Sequence, residues 1–200
     1  MALENGEKLD QAADSSSAAA LKPKNYTSWV VLLLRVIAFS GTTAATVAMA
    51  TNKQTKSFTV ATIGTTPIQA SLTAKFQHTP AFVFFVIANG MASVHNLVMM
   101  ALQIFAHKFD YKRLHHVTIA ILDMLTVGLI SGGVNAAVFM AELGKNGNSH
   151  AKWNQICDKF ERYCSQGGAA IIASFIGLLF MLIITIISIL KLLPPKSNAT

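Results

Sequence analysis

Charged residues are scarce in this chain, and they are unevenly distributed. Only 12% of its 200 residues are charged, whereas 52% are hydrophobic. A soluble globular domain has about 25% charged residues, so the composition excludes a chain built from soluble domains. Four long windows contain almost no charge, and each exceeds the roughly 20 helical residues needed to cross a bilayer core. These windows are residues 28–50, 80–105, 116–141 and 169–193.

Several functional motifs are absent as well. The formal net charge is +7, but no run of five or more basic residues accompanies it. We therefore interpret the basic residues as membrane flanks and predict no nucleic-acid partner. The sequence also has no metal-ligand spacing, phosphate loop or nucleophile arrangement. We expect no metal, no cofactor and no enzymatic activity.

The remaining class is an all-α membrane protein, a bundle of four transmembrane helices. Residues 1–27 are predicted to form a disordered tail because they are polar and rich in small residues, and residues 194–200 a second, short tail. Four spans place both tails on one side of the membrane. The short loop 106–115 lies on that side and is dense in basic residues, so the positive-inside rule assigns both termini to the cytoplasm.

One cation and one anion lie deep inside the predicted spans. Arg35 is in the first span, and Asp123, in the third, is the only acidic residue in any span. Both lie about 10 Å from the tail side by the helical rise of 1.5 Å per residue. Because a buried charge is costly without a partner, we predict a bidentate structural ion pair. His95 and Asn96 of the second span lie about 14–15 Å deep by the same rise and are candidate partners in this polar layer. The alternative interpretation is a proton or ion relay.

The loop between the first two spans has a strand pattern. In "IQASLTAKF" (68–76), apolar and polar residues alternate with a period of two. The run "SFTVATI" (57–63) is also β-prone, and "GTTP" between the two indicates a turn. We predict a small extracellular β-hairpin.

The second long loop contains the only two cysteines, Cys157 and Cys164. An oxidising outer face favours a disulfide between them. Apolar residues here follow helical spacing, but cysteines seven apart on one helix are about 10 Å apart, beyond the roughly 7 Å limit for bridging. The helix must therefore break between them. We predict that the bridge braces an extracellular aromatic platform formed by Trp153, Phe160 and Tyr163.

Small residues recur at four-residue spacing in the spans, which allows close approach of helices in lipid. They fit two roles, packing within the bundle and self-association, and the two roles are compatible. The residues are Gly128 and Gly132 in the third span and Ala169, Ala173 and Gly177 in the fourth.

The combined pattern resembles the plant Casparian strip membrane protein-like (CASP-like) family, relatives of the four-span MARVEL proteins. The resemblance covers about residues 25–193. It rests on the Arg and Asp of the first and third spans, on "LTAKFQHTPAFVFF" and "FVIANGMASVHNLV", and on the second-loop pattern "W..IC..F..YC". The first loop lacks the signature of the family's endodermal founders, so the similarity is to the broader CASP-like branch.

This resemblance implies a plasma-membrane scaffold that self-associates, organises membrane domains and recruits cell-wall-modifying proteins. Its partners would be membrane lipids, copies of itself and related family members. Because identical subunits usually form closed rings, we favour a trimer or tetramer. One alternative is a small transporter or channel that uses the Arg-Asp-His layer, and another is a chaperone or trafficking adaptor for membrane proteins.

Overall fold

Four long helices dominate the described part of the chain. The computed structural model describes residues 23–105 and 113–193. Each helix contains a stretch long and apolar enough to cross a membrane, which confirms the predicted all-α four-helix fold. The predicted tails lie outside the described residues, except that residues 23–27 already belong to the first helix. The helices are α1 (Pro23–Ala50), α2 (Pro80–Phe105), α3 (Arg113–Asn146) and α4 (Glu161–Leu190).

Two helices extend beyond the predicted spans on the side of the long loops, which we call the loop end; the opposite side is the tail end. α3 continues to Asn146 rather than residue 141, and α4 begins at Glu161 rather than at 169. Hydropathy locates the part of a helix that lies in lipid, and a helix does not have to stop at the membrane surface. The polar first turns of α4 stay helical because Tyr163 and Gly167 are buried against the rest of the chain.

The predicted hairpin is present and longer than expected. β1 (Lys53–Ile63) and β2 (Thr66–Lys75) pair antiparallel, with one irregularity in register between Thr59 and Ala61. Gly64 opens the connecting turn with a φ of 63°, a left-handed conformation that glycine adopts without steric cost. A single 3-10 turn then leads into α2.

The hairpin is attached to the rest of the chain through β1, at Gln54 near its base and at Phe58 midway along the strand. The Phe58 ring meets the Phe160 ring edge-on, with centroids 6.0 Å apart. On β2, Ile68 and Leu72 are exposed, so this part of the apolar face indicated by the alternating pattern is uncovered in a single chain. An isolated two-stranded hairpin is marginally stable in water, and this one depends on its attachments to the rest of the chain.

The second loop contains the predicted disulfide but not the predicted helical segment. Cys157 lies in the loop and Cys164 in the first turn of α4, with Cα atoms 5.6 Å apart. Residues 147–160 form turns and one isolated bridge between Asn148 and Trp153. The Ile156 amide donates to the Gly144 carbonyl at the end of α3. The chain turns back onto α3 here, and a continuous helix cannot make that reversal.

The predicted aromatic platform is wrong as an exposed surface. Phe160 and Tyr163 are only 3% and 8% exposed, and Trp153 alone is open to solvent. Phe160 packs on the hairpin, and the Tyr163 ring meets the Phe82 ring edge-on at 6.3 Å. Phe160 therefore joins the two loops, and Tyr163 joins α4 to α2, so neither ring is presented to a neighbour.

Removing the disulfide should destabilise the loop end. The bridge closes a short loop, with a sequence separation of 7, so the chain-entropy relation gives a loss of about 2–3 kcal/mol for the Cys157→Ser/Cys164→Ser double variant. Thermal unfolding of the detergent-solubilised protein should show the lower Tm. Reductant should lower the Tm of the wild type equally and leave the double variant unchanged. A variant with the wild-type Tm would show that the bridge adds no stability.

The tightest helix contact joins α1 to α4. A Cβ placed on Gly41 would lie 3.0 Å from the Gly177 nitrogen and 3.1 Å from the Ala173 carbonyl oxygen. Of the predicted small packing residues, Ala173 and Gly177 therefore serve this contact. They allow the two backbones to approach more closely than larger side chains would permit.

The predicted GxxxG pair of α3 is not the residue set that packs inside the bundle. Gly133 faces α2, where an added Cβ would lie 2.9 Å from the Ala88 Cβ, whereas Gly132 lies beside the Phe84 ring. Gly128 and Ala169 are exposed, and a Cβ on Gly128 would meet nothing within 4 Å. Gly128 thus belongs to the outer surface of the single chain.

Candidate functional site

A buried carboxylate at the centre of the tail half of the bundle is the candidate functional site. Asp123 of α3 is fully buried and Arg35 of α1 is 3% exposed. Arg35 Nη1 donates to Asp123 Oδ1 at 3.2 Å, and Nη2 donates to Oδ2 at 2.8 Å. The structure brings the two residues together in the bidentate geometry that guanidinium and carboxylate groups favour.

The two remaining helices also reach this carboxylate. His95 of α2 donates from Nε2 to Asp123 Oδ1 at 2.7 Å. Ser188 of α4 lies with its Oγ 3.4 Å from Asp123 Oδ2. One side chain from every helix therefore converges on Asp123, and we call Arg35, His95, Asp123 and Ser188 the polar centre.

Asn96 does not join the polar centre, although its position beside His95 suggested it. It is fully buried, and its Nδ2 donates to the Ala92 carbonyl of its own helix at 3.0 Å. Adjacent residues on a helix point about 100° apart, so only one of the pair faces Asp123. Ser188 was missed from the sequence. Its only signal is that it is a polar residue near the tail end of the most apolar span, at a depth similar to that of Asp123.

A second, uncharged polar layer lies nearer the loop end. Ser174 of α4 donates to Asn89 Oδ1 of α2 at 2.7 Å, and Ser93 donates to Thr42 of α1 at 3.0 Å. Asn89, Thr42 and Ser174 are completely buried. The positions of the charged residues in the sequence did not indicate this second layer. Neutral hydrogen bonds join α1, α2 and α4 above the charged centre.

The positive charge of Arg35 also affects Lys191, at the tail end of the bundle. Lys191 follows Leu190, where the membrane-spanning helix ends in the structure, although the predicted span extends to residue 193. Partial burial lowers the pKa of Lys191, and the charge of Arg35 lowers it further. The Arg35 charge therefore acts on Lys191 even though Asp123 is its direct partner.

The geometry of the polar centre suits a fixed lock better than a transfer site. A carboxylate offers about four lone-pair positions, and Asp123 uses them on two Arg35 donors, His95 and Ser188. An incoming proton or cation would have to displace a protein donor. Such a saturated group resists exchange and holds the four helices in one register.

Comparisons with known proteins place the chain among plant membrane proteins. A family model for the Casparian strip membrane protein domain matches residues 24–180. The chain is 70% identical over 197 residues to "CASP-like protein 1B1" of Ricinus communis, covering 98% of this chain and 95% of that protein. It is 63% identical over 201 residues to "CASP-like protein 1B2" of Populus trichocarpa, covering 100% and 98%. A third relative, "CASP-like protein 1B2" of Arabidopsis thaliana, is 59% identical over 172 residues, covering 86% and 87%. No solved structure matches the chain.

Proposed function

This chain belongs to the CASP-like family of plant membrane proteins, and from that premise we propose that it is a plasma-membrane scaffold that self-associates and organises membrane domains. In this role both termini face the cytoplasm, and the hairpin and second loop face the cell wall, where they recruit wall-modifying proteins. The protein acts by assembly and not by catalysis. The main support for this proposal is the polar centre. It fixes four helices around one carboxylate whose hydrogen-bonding positions are all occupied, and it leaves the outer faces of the helices free for neighbours.

The outer face of α3 supports self-association. Gly128, Gly132 and Asn135 are exposed and lie at positions i, i+4 and i+7 of this helix, so they share one face. Asn135 lies within the span, and its Nδ2 donates to the Ser131 carbonyl of its own helix. A polar side chain at a helix surface in lipid is unfavourable unless another helix covers it. A second copy of the same face supplies both small residues and an amide, which is the combination that drives helix association in membranes.

Gly128→Leu and Asn135→Leu should weaken self-association. Interhelical hydrogen bonds in membranes contribute about 0.6–2 kcal/mol, so Asn135→Leu should shift the monomer–oligomer equilibrium by about threefold to thirtyfold. Gly128→Leu should act in the same direction, because its side chain keeps the two backbones apart. Single-molecule photobleaching of the labelled full chain in lipid particles measures the subunit number directly. We expect more than one subunit in the wild type, with a trimer or tetramer favoured.

Gly168→Leu is the matched control for this experiment. A Cβ on Gly168 also meets nothing within 4 Å, but this residue lies on α4 and not on the α3 face. It should leave the subunit number unchanged. A monomeric wild type would contradict the scaffold proposal, and equal loss in all three variants would contradict the assignment to α3.

The competing function is conduction of a solute through the polar interior. The neutral layer above the polar centre extends polar groups along the bundle axis, so a flux measurement is needed. Proteoliposomes should show no flux of protons, common ions or water above that of empty vesicles. Reproducible flux through the wild-type protein would favour a transporter over the scaffold.

A further inference from the structure

A cavity of about 750 Å³ lies at the loop end of the bundle, apart from the polar centre. Its walls come from the last turns of α3, the first turns of α4 and the second loop, including the disulfide. The deeper part is apolar and is lined by Phe82, Val138, Ile171 and Ile172. The volume falls within the range of about 300–1,000 Å³ found for small-molecule sites. The cavity is therefore large enough to enclose most of an apolar molecule.

Asn52 gives this cavity one buried polar anchor. It lines the cavity just beyond the end of α1 and is 1% exposed. Its Nδ2 donates to the Tyr163 carbonyl at 2.9 Å, whereas its Oδ1 has no hydrogen-bond partner among the described residues. Buried acceptors are nearly always paired in native proteins. The cavity thus presents an acceptor that matches a hydrogen-bond donor on a bound molecule.

The cavity is polar at its mouth and apolar at its deep end, as a membrane lipid is polar at its headgroup and apolar in its body. Its deep wall at Ile172 lies about 16 Å along α4 from Glu161 by the helical rise. Its mouth carries Lys145 and Lys152, both exposed to solvent. A molecule in the cavity therefore has its polar end at the loop-side membrane surface and its apolar body in the adjacent leaflet.

We propose that this cavity binds a membrane sterol, with the sterol hydroxyl donating to Asn52 Oδ1 and the ring system lying along α3 and α4. A hydroxyl supplies one donor without bringing a charge into the buried part of the site. A phosphodiester headgroup offers only acceptors, and its charge would lose hydration beside Asn52. This inference concerns a lipid site within one chain and does not depend on the scaffold proposal.

Photolabelling of the full chain by a diazirine-bearing sterol in phosphatidylcholine nanodiscs tests the proposal. We expect crosslinks on cavity-lining segments at the end of α3 or the start of α4, and unlabelled sterol should suppress them. The 3-methyl ether of the same sterol cannot donate a hydrogen bond. It should therefore compete about tenfold more weakly, as expected when a buried acceptor is left unpaired. Equal competition by the two compounds would overturn the role of Asn52.

Gly168→Leu tests the location of the site without disturbing Asn52, whose Nδ2 holds the start of α4. Gly168 lines the cavity, and a side chain there has open space and no backbone clash. Filling the cavity should reduce sterol labelling by about tenfold or more, because an occluded pocket loses most of its apolar contact. Ala169→Leu adds a similar side chain at an exposed position of the same helix, outside the cavity lining, and should label like the wild type.

Two results would overturn the sterol assignment. One is unchanged labelling in Gly168→Leu. The other is equally strong labelling of the same segments by a diazirine phosphatidylcholine that unlabelled sterol does not displace. The scaffold proposal can fail independently, because Gly128→Leu changes subunit number and Gly168→Leu changes sterol labelling.

Discussion

Asp123→Asn is expected to destabilise the folded protein strongly and to lower its yield in monodisperse form. The substitution leaves the Arg35 guanidinium buried, with only 3% exposure, and without its counter-charge. Removing one partner of a buried ion pair costs about 3–5 kcal/mol, which is a large part of a typical folding stability of about 5–15 kcal/mol. Arg35→Gln should have a comparable effect, because it leaves the carboxylate with His95 and Ser188 alone.

A double variant separates the loss of the pair from the burial of an unpaired charge. Arg35→Met combined with Asp123→Leu removes both charges and keeps apolar volume, so it should recover most of the stability lost in either single variant. Reversible unfolding in mixed micelles gives the four free energies of the cycle. Asp158→Asn, an exposed loop carboxylate, is the matched control and should change stability by less than about 0.5 kcal/mol. Wild-type stability in Asp123→Asn would show that the pair is not a structural lock.

The polar centre was largely predictable because depth in a membrane can be counted from the sequence. Charge-free windows mark where each span begins, and a fixed rise per residue then places Arg35 and Asp123 at one level. The same counting brings His95 close to them. It does not identify Ser188, because a serine in a membrane helix commonly bonds its own backbone. Nothing local distinguishes this serine from Ser40, which does bond the Val36 carbonyl of its own turn.

The sequence did not determine which side of each helix faces the interior of the bundle. Small-residue spacing identified both Gly128 and Gly177, yet one is outside the bundle and the other is in its tightest contact. In lipid, apolar residues line both the interior and the exterior of a helix, so hydropathy carries little information about which side is buried. Only the polar residues break this symmetry, which explains why the Arg35–Asp123 pairing was accessible and the glycine contacts were not.

The prediction of a helical segment in the second loop was wrong for a different reason. Apolar residues spaced like one face of a helix do fit a helix, but here they satisfy tertiary contacts in a turn. Phe160 fills space beneath the hairpin, and Cys157 must approach Cys164 within bonding distance. These tertiary contacts outweigh the helical preference of a segment of only about a dozen residues. The hairpin was easier to recognise because its pairing is local and its turn contains glycine at the position that requires it.

The close approach of α1 and α4 leads to the second large expected effect. A Cβ on Gly177 would lie 2.9 Å from the Thr42 Cγ2 and 3.2 Å from the Thr42 backbone nitrogen. The side-chain atom can move, but the backbone nitrogen cannot move without shifting α1. These two helices form the most extensive helix contact in the bundle, and Ser174 of the same α4 segment holds the neutral layer through Asn89. A larger residue at this position therefore disturbs packing and buried hydrogen bonds together.

Gly177→Leu should destabilise the protein by about 3 kcal/mol or more, at the upper end of the range for overpacked cores. Gly168→Leu, on the same helix, is the control, because both changes raise helix propensity by nearly 1 kcal/mol and only one meets a neighbouring backbone. We expect the control to match or exceed wild-type stability in the same unfolding titration. The difference between the two variants then measures the α1–α4 contact itself, free of the propensity gain. If Gly177→Leu were as stable as Gly168→Leu, the two helices would be able to separate at no cost. In that case the register of the four helices would depend on the polar centre alone.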